Sequence, residues 1–139
     1  MADCLFCLIA EGKVPSSKVF ENDQVYAFLD LNPVHKGHTL IIPKAHCQDI
    51  FGADPAVGAA IIDAMQRIGR AIKDVTGATG MNVLQNNGRD AGQMVDHLHW
   101  HLIPRFAGDG LTLWPQGKYD SMDEMNSLAA SLRGALGQE

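Results

Sequence analysis

The chain has 139 residues, enough for one hydrophobic core, so a single domain over residues 1–139 is expected. Sixteen acidic against eleven basic side chains give a formal net charge of -5, and with no basic stripe this excludes a protein that grips a nucleic-acid backbone. No run approaches the roughly 18 apolar residues of a membrane span, whereas a small anionic ligand stays open, because a local pocket need not share the sign of the whole.

The opening residues, MADCLFCLIAEGKVP, lack a charged region followed by a long apolar core, so no secretory signal is read. Three cysteines fit a reducing compartment better than a disulfide framework, and the cytoplasm is the expected location. CLFCLIAEGKVP reads as a short helix stopped by Gly12 and Pro15. KVFENDQVYAFLDLNP reads as a hairpin: Val19 to Glu21, a turn at Asn22-Asp23, then Val25 to Asp30. GHTLIIPKAH gives a strand from Thr39 to Ile42, closed by Pro43. Asp54-Pro55 opens one long helix, roughly Ala56 to Val75, whose apolar Val57, Ile61, Ile62, Met65, Ile68 and Ile72 recur in three- and four-residue steps. Gly77 and Gly80 end it. MNVLQNNG is a strand entering a turn, and HLHWHLIP is the next strand. Ser121, with Glu124 three residues later, caps a final helix. Hairpins and segregated helices favour an α+β fold, with about five antiparallel strands, one long helix and short terminal helices.

The stretch DHLHWHLIP carries the chemistry. Successive strand side chains point to opposite faces, so His97, His99 and His101 share one face while Leu98, Trp100 and Leu102 share the other. The apolar face suits the long helix; three imidazoles in register suit a ligand. One metal held by all three is disfavoured, because the outer pair would lie about 13 Å apart along the strand, although one or two of them remain feasible ligands. The other reading is nucleophilic and acid–base work on a phosphate. Upstream, QNNGRDAGQMVD holds Gly88 and Gly92 among Asn86, Asn87 and Gln93, a turn able to offer backbone N–H groups to an anion.

His97-Leu98-His99-Trp100-His101-Leu102-Ile103 resembles the histidine triad signature, three histidines alternating with apolar residues. The likeness extends through CLFCLI, FLDLNPVHKGHTLIIPKAH and NVLQNNGRDAGQ, and it is nearest the small bacterial Hint branch. The resemblance implies a two-fold dimer with a continuous sheet, and a nucleotide-binding hydrolase that cleaves purine nucleotide conjugates of the phosphoramidate type. It implies His99 as the nucleophile, His101 as a hydrogen-bond partner of the phosphate and leaving group, His38 as a fourth active-site histidine, and His97 as the residue orienting the strand. Asn86, Gly92, Gln93 and Met94 match the phosphate side of the site. Asp30 matches the carboxylate that takes the ribose hydroxyls, a task suited to a group accepting two bonds at once. Phe6, Ile9, Phe28 and Leu31 match the apolar slot for the base; read without the family, they are ordinary core. No cofactor for catalysis is implied.

Met94 is a departure, because some Hint members carry a serine there, and the missing hydroxyl bears on phosphoramidate turnover. The alternatives are a dinucleoside polyphosphate hydrolase and a nucleotide-binding interaction module with little turnover. His101 speaks against the branch that transfers nucleotidyl groups to a sugar phosphate, which uses glutamine there. Trp114-Pro115 resembles the Hint tail, in which a tryptophan approaches the partner's active site. Cys4-x-x-Cys7 has three readings: a redox pair, two buried thiols, or a structural zinc site closed by His46 and His97, as several histidine triad proteins have. Cys47 is given no role, and His35 is expected in solvent.

Overall fold

The computed structural model describes residues 3–138; Met1, Ala2 and Glu139, at the ends of the expected domain, lie outside the described residues. The chain divides into two compact units, one running to Asp109 and one from Gly110 onward.

In the first unit, helix α1 spans Leu5–Ala10 and strands β1 and β2 span Lys18–Glu21 and Val25–Leu29. Strand β3 is Thr39–Pro43, helix α2 Val57–Thr76, strand β4 Gly80–Gln85 and strand β5 Trp100–Arg105. The strands form one antiparallel sheet in the order β1-β2-β3-β5-β4. The Asn22-Asp23 turn closes as expected, with the Asn22 carboxamide oxygen accepting from Gln24 N and Val25 N. Asp54 opens α2 by accepting from Ala56 N, and Gly77, at φ 76°, closes it in the left-handed conformation that glycine adopts cheaply.

Strand alternation separates two cores. Val25, Ala27, Ile41 and Leu102 point to one face of the sheet, where Ile61, Ala64, Ile68 and Ile72 of α2 cover them. Tyr26, Phe28, Leu40 and Ile42 point to the other, where Phe6 and Ile9 of α1 pack. Both faces of β2 and β3 are thus buried, which removes their apolar surface from water at about 25 cal/mol per Å². The α1 face is the one that carries the triad.

Several expected details change. Ile62 is 55% exposed, and Ala64 takes its place in the buried stripe of α2. Pro43 is the last residue of β3 rather than a stop beyond it, and Gly80 opens β4 rather than ending the helix. Strand β5 begins at Trp100, because the preceding segment bonds elsewhere: Leu98 N donates to the carbonyl of Cys47.

The second unit carries α3, Met122–Leu136, at 15 residues longer than a short terminal helix. The Ser121 hydroxyl accepts from Glu124 N as expected, while the Glu124 carboxylate reaches Asp120 N instead of the cap's own amide. Among the described residues no helix is long and apolar enough to cross a membrane.

Candidate active site

His97, His99 and His101 follow one another up to and into β5, and each ring is oriented by a different partner. The His99 ring donates from Nδ1 to the carbonyl of His97 at 2.7 Å. Its Nε2 is therefore the nitrogen with a lone pair. Val34 N donates to Nδ1 of His38 at 3.1 Å, which leaves the proton of His38 on Nε2. That Nε2 donates to Nδ1 of His101 at 2.9 Å, so His101 carries its own proton on Nε2. His97 donates from Nε2 to the carbonyl of Pro43 at 2.8 Å, and its Nδ1 lone pair faces away from the sheet backbone.

All four rings are held neutral near pH 7. Burial, together with the neighbouring His99 and His38, pushes His101 down to about 4 against the opposing pull of Asp30. Burial also lowers His99, partly offset by its bond to the His97 carbonyl and by Asp30. His38 is lowered by burial against the opposing pull of Asp30, whose carboxylate lies 3.6 Å from its Nε2. Desolvation of the imidazolium outweighs attraction to a single, partly exposed carboxylate.

In front of His99 and His101 lies a cavity of about 450 Å³. Phe6, Ile9, Phe28 and Leu40 form its apolar wall, Asp30 and Asn32 a polar side, and Gly92, Met94 and Val95 close it from the glycine turn. The Asp30 carboxylate accepts from Asn32 N with one oxygen, which fixes the side chain at the rim. Leu31 also lines the cavity but is 94% exposed, so in the single chain it belongs to the lip rather than to a closed slot. Leu5, Ser16 and Ser17 line it as well, and no pattern along the chain singles them out.

Asn86 and Gln93, which the resemblance places on the phosphate side, are not among the residues lining the cavity. The Gln93 side chain, 2% exposed, spends its amide on backbone: it accepts from Gly88 N and donates to the carbonyls of Gln48 and Val95. It clamps the glycine turn. Asn86 lies beside Gly92, where a Cβ would come within 3.5 Å of its amide nitrogen, and Gly92 itself has φ 94°. His35, expected in solvent, is instead partly buried, with Nε2 3.2 Å from the Asp109 carboxylate and its ring against Phe106. Asp109 also accepts from the guanidinium of Arg105 through both oxygens.

Next to the cavity, the Sγ atoms of Cys4 and Cys7 and Nδ1 of His46 and His97 converge, all within 4.8 Å of one another. The two Nδ1 atoms are 3.2 Å apart, and Nδ1 of His97 is 3.3 Å from the sulfur of Cys4 and 3.6 Å from that of Cys7. A tetrahedral zinc with nitrogen at about 2.0 Å and sulfur at about 2.3 Å would set edges of about 3.3 and 3.5 Å. The fit extends to orientation, because the Pro43 carbonyl fixes the tautomer that aims the lone pair of His97 inward. A second group, Asp30, His38 and His101, is also close, but His38 and His101 satisfy each other there. Of the three readings of Cys4-x-x-Cys7, the donor geometry favours the metal site. Among the described residues all three cysteines are free.

Residues 11–108 match the HIT domain family. The chain belongs to it. The HIT protein called Protein hit in Bacillus subtilis is 40% identical over 137 residues, covering 96% of this chain and 94% of that one. Adenosine 5′-monophosphoramidase HNT1 of Candida albicans is 37% identical, covering 97% of this chain and 92% of the relative. Among solved structures, a HIT family protein of Bacillus anthracis is 41% identical with a TM-score of 0.85, covering 96% of both chains. A Zn-bound histidine triad family protein of Mycobacterium smegmatis is 34% identical with a TM-score of 0.76, covering 96% of this chain and 98% of that one. The five-stranded antiparallel sheet with its helices is thus the HIT fold, as the triad motif implied.

Proposed function

We propose that this HIT protein hydrolyses purine nucleotide conjugates of the nucleoside phosphoramidate type, by way of a nucleotidyl-histidine on His99. One observation carries the reading: two adjacent imidazoles on one cavity have opposite polarity at Nε2, a lone pair on His99 and a proton on His101. The first suits attack and the second suits a departing group. Relatives named for phosphoramidase activity support the substrate class.

In the first step the His99 Nε2 lone pair forms a bond to the α-phosphorus while the bond from phosphorus to the leaving amine breaks. The leaving amine accepts a hydrogen bond from the Nε2–H of His101 and takes its proton from solvent, so that the His101 ring stays neutral. In the second step water attacks the same phosphorus and gives a proton back to solvent, and the bond to His99 breaks to release the nucleoside monophosphate. His38 holds the His101 tautomer, and His97 holds that of His99 through its carbonyl. Asp30 would accept from the ribose hydroxyls, with Phe6, Ile9 and Phe28 against the base and the Gly92 turn near the phosphate. Every bond change is carried by imidazole and water.

Cys4, Cys7, His46 and His97 would hold a structural zinc. When bound, it would cross-link α1 to the start of the triad and contribute stability rather than catalysis. A two-fold dimer is part of the same reading: β4 ends the sheet on one side, with Val83 half exposed, and a second β4 there would continue the sheet.

The test is to quench a slow adenosine phosphoramidate reaction and locate phosphorus by peptide mass spectrometry. A label on His99, absent together with turnover in His99→Ala, is expected; turnover that survives in His99→Ala rejects the mechanism. Met94, 71% exposed at the cavity, brings no hydroxyl to the leaving group and favours one second reading, a nucleotide-binding module with little turnover. Tight mononucleotide binding with turnover no better than that of His99→Ala would select it.

A further inference from the structure

Phe6 lies between two sites. It sits in α1 between Cys4 and Cys7, whose sulfurs turn toward His97 and His46. Its own ring, 4% exposed, turns the other way and forms part of the cavity wall. There its centroid is 5.1 Å from that of His99, edge-on at 87°, and 5.4 Å from that of Phe28. The ring also touches His97, at 6.0 Å. A change at the sulfur cluster therefore has a short path to His99 through packing, besides the backbone path from His97 to the His99 ring.

Helix α1 has six residues, far below the length at which a helix holds itself in water. Its position depends on its anchors. One is the apolar cluster with Phe28, Leu40 and Ile42. The other is the cysteine pair at its N-terminal end, where Cys4 also caps the first turn through Cys7 N. With the four donors bridged by one ion, that end is cross-linked to the segments of His46 and His97. Without an ion that end is held by thiol–imidazole contacts alone, so an ion on the cluster and a ligand packed on Phe6 restrain the same six-residue helix.

We propose that Phe6 is a positioning residue coupling the Cys4–Cys7–His46–His97 cluster to the nucleotide cavity, so that a thiophilic divalent metal on the cluster and a nucleotide in the cavity each tighten the binding of the other. The inference rests on the nucleotide reading of the cavity. Its sign follows from ordering: whichever ligand binds first fixes α1, and the second no longer has to. Couplings of this kind commonly run from fivefold to a hundredfold and are equal in both directions.

The experiment measures adenosine 5′-monophosphate binding by calorimetry to zinc-loaded and chelator-stripped protein, with far-UV circular dichroism to check that the stripped chain keeps its fold. Binding about tenfold tighter to the loaded form is expected. Zinc affinity, read by competition with a chromophoric chelator, should rise by the same factor when the nucleotide is present. In Phe6→Leu, whatever its absolute affinity for the nucleotide, zinc should bind as in the wild type while the coupling falls below about twofold. Equal nucleotide affinity in the loaded and stripped folded forms overturns the coupling and leaves the nucleotide reading standing. No nucleotide binding in either form overturns that reading and the coupling with it. If stripping unfolds the chain, the linkage runs through global folding, survives in Phe6→Leu, and the role given to Phe6 is overturned.

Discussion

Replacing Gln93 by alanine separates a clamp from a ligand. In the native turn the carboxamide makes three bonds to backbone, at 2.8 Å from Gly88 N, 2.6 Å to the Gln48 carbonyl and 3.0 Å to the Val95 carbonyl. Each such bond contributes about 0.5–1.5 kcal/mol net, which sums to about 3 kcal/mol. Gly88 and Gln48 are themselves exposed, so water recovers part of two of the three, and a loss of about 2 kcal/mol is expected. For a domain of this size that lowers the Tm by roughly 6–8 °C. Urea denaturation followed by circular dichroism measures the first quantity and a thermal scan the second. Turnover should fall as well, because Gly92 and Met94 line the cavity from the same turn. Stability unchanged within 0.5 kcal/mol, together with a raised KM, would refute the clamp and return Gln93 to the phosphate.

Three further outcomes are expected. Asp30→Asn should weaken mononucleotide binding about tenfold, because the amide accepts from one ribose hydroxyl where the carboxylate accepts from two; calorimetry with a 2′,3′-dideoxynucleotide, for which wild type and variant should be equal, isolates the cause. Stability should be flat between about pH 6.5 and 8 and fall as pH drops toward 4, because the unfolded chain binds protons that buried His101 and its lowered neighbours His38 and His99 refuse; for His101 alone the loss approaches about 2 kcal/mol after allowance for its partial exposure, and denaturant midpoints measured across that range check the sign. Gly37→Ala should cost about 2 kcal/mol in chemical denaturation, because φ is 103° there and a Cβ would meet the Thr76 methyl at 3.1 Å, just before His38.

The triad was legible as a periodic motif, and alternation through Trp100 and Leu102 requires only a strand whose two faces are fixed by backbone geometry, whereas the strand holds only His101 of the three histidines because it begins at Trp100. The hairpin, the long helix and the α+β class were legible for the same reason, since Asn22, Asp54-Pro55 and Gly77 act on their own neighbours. The exchange of Ile62 for Ala64 in the stripe was not, because it depends on the angle at which α2 meets the sheet. Nor was the chemistry of the site, which depends on which nitrogen of each ring is protonated. Those protons are set by the backbone groups of Val34, Pro43 and His97, and a backbone carbonyl or amide has no letter in a sequence. Gln93 and His35 teach the same lesson from side chains: only folding brought Gln48 to the one and Asp109 to the other. Local order in this protein is written along the chain, while proton positions, clamps and the meeting of Cys4 with His97 arise from residues far apart in sequence and close in space.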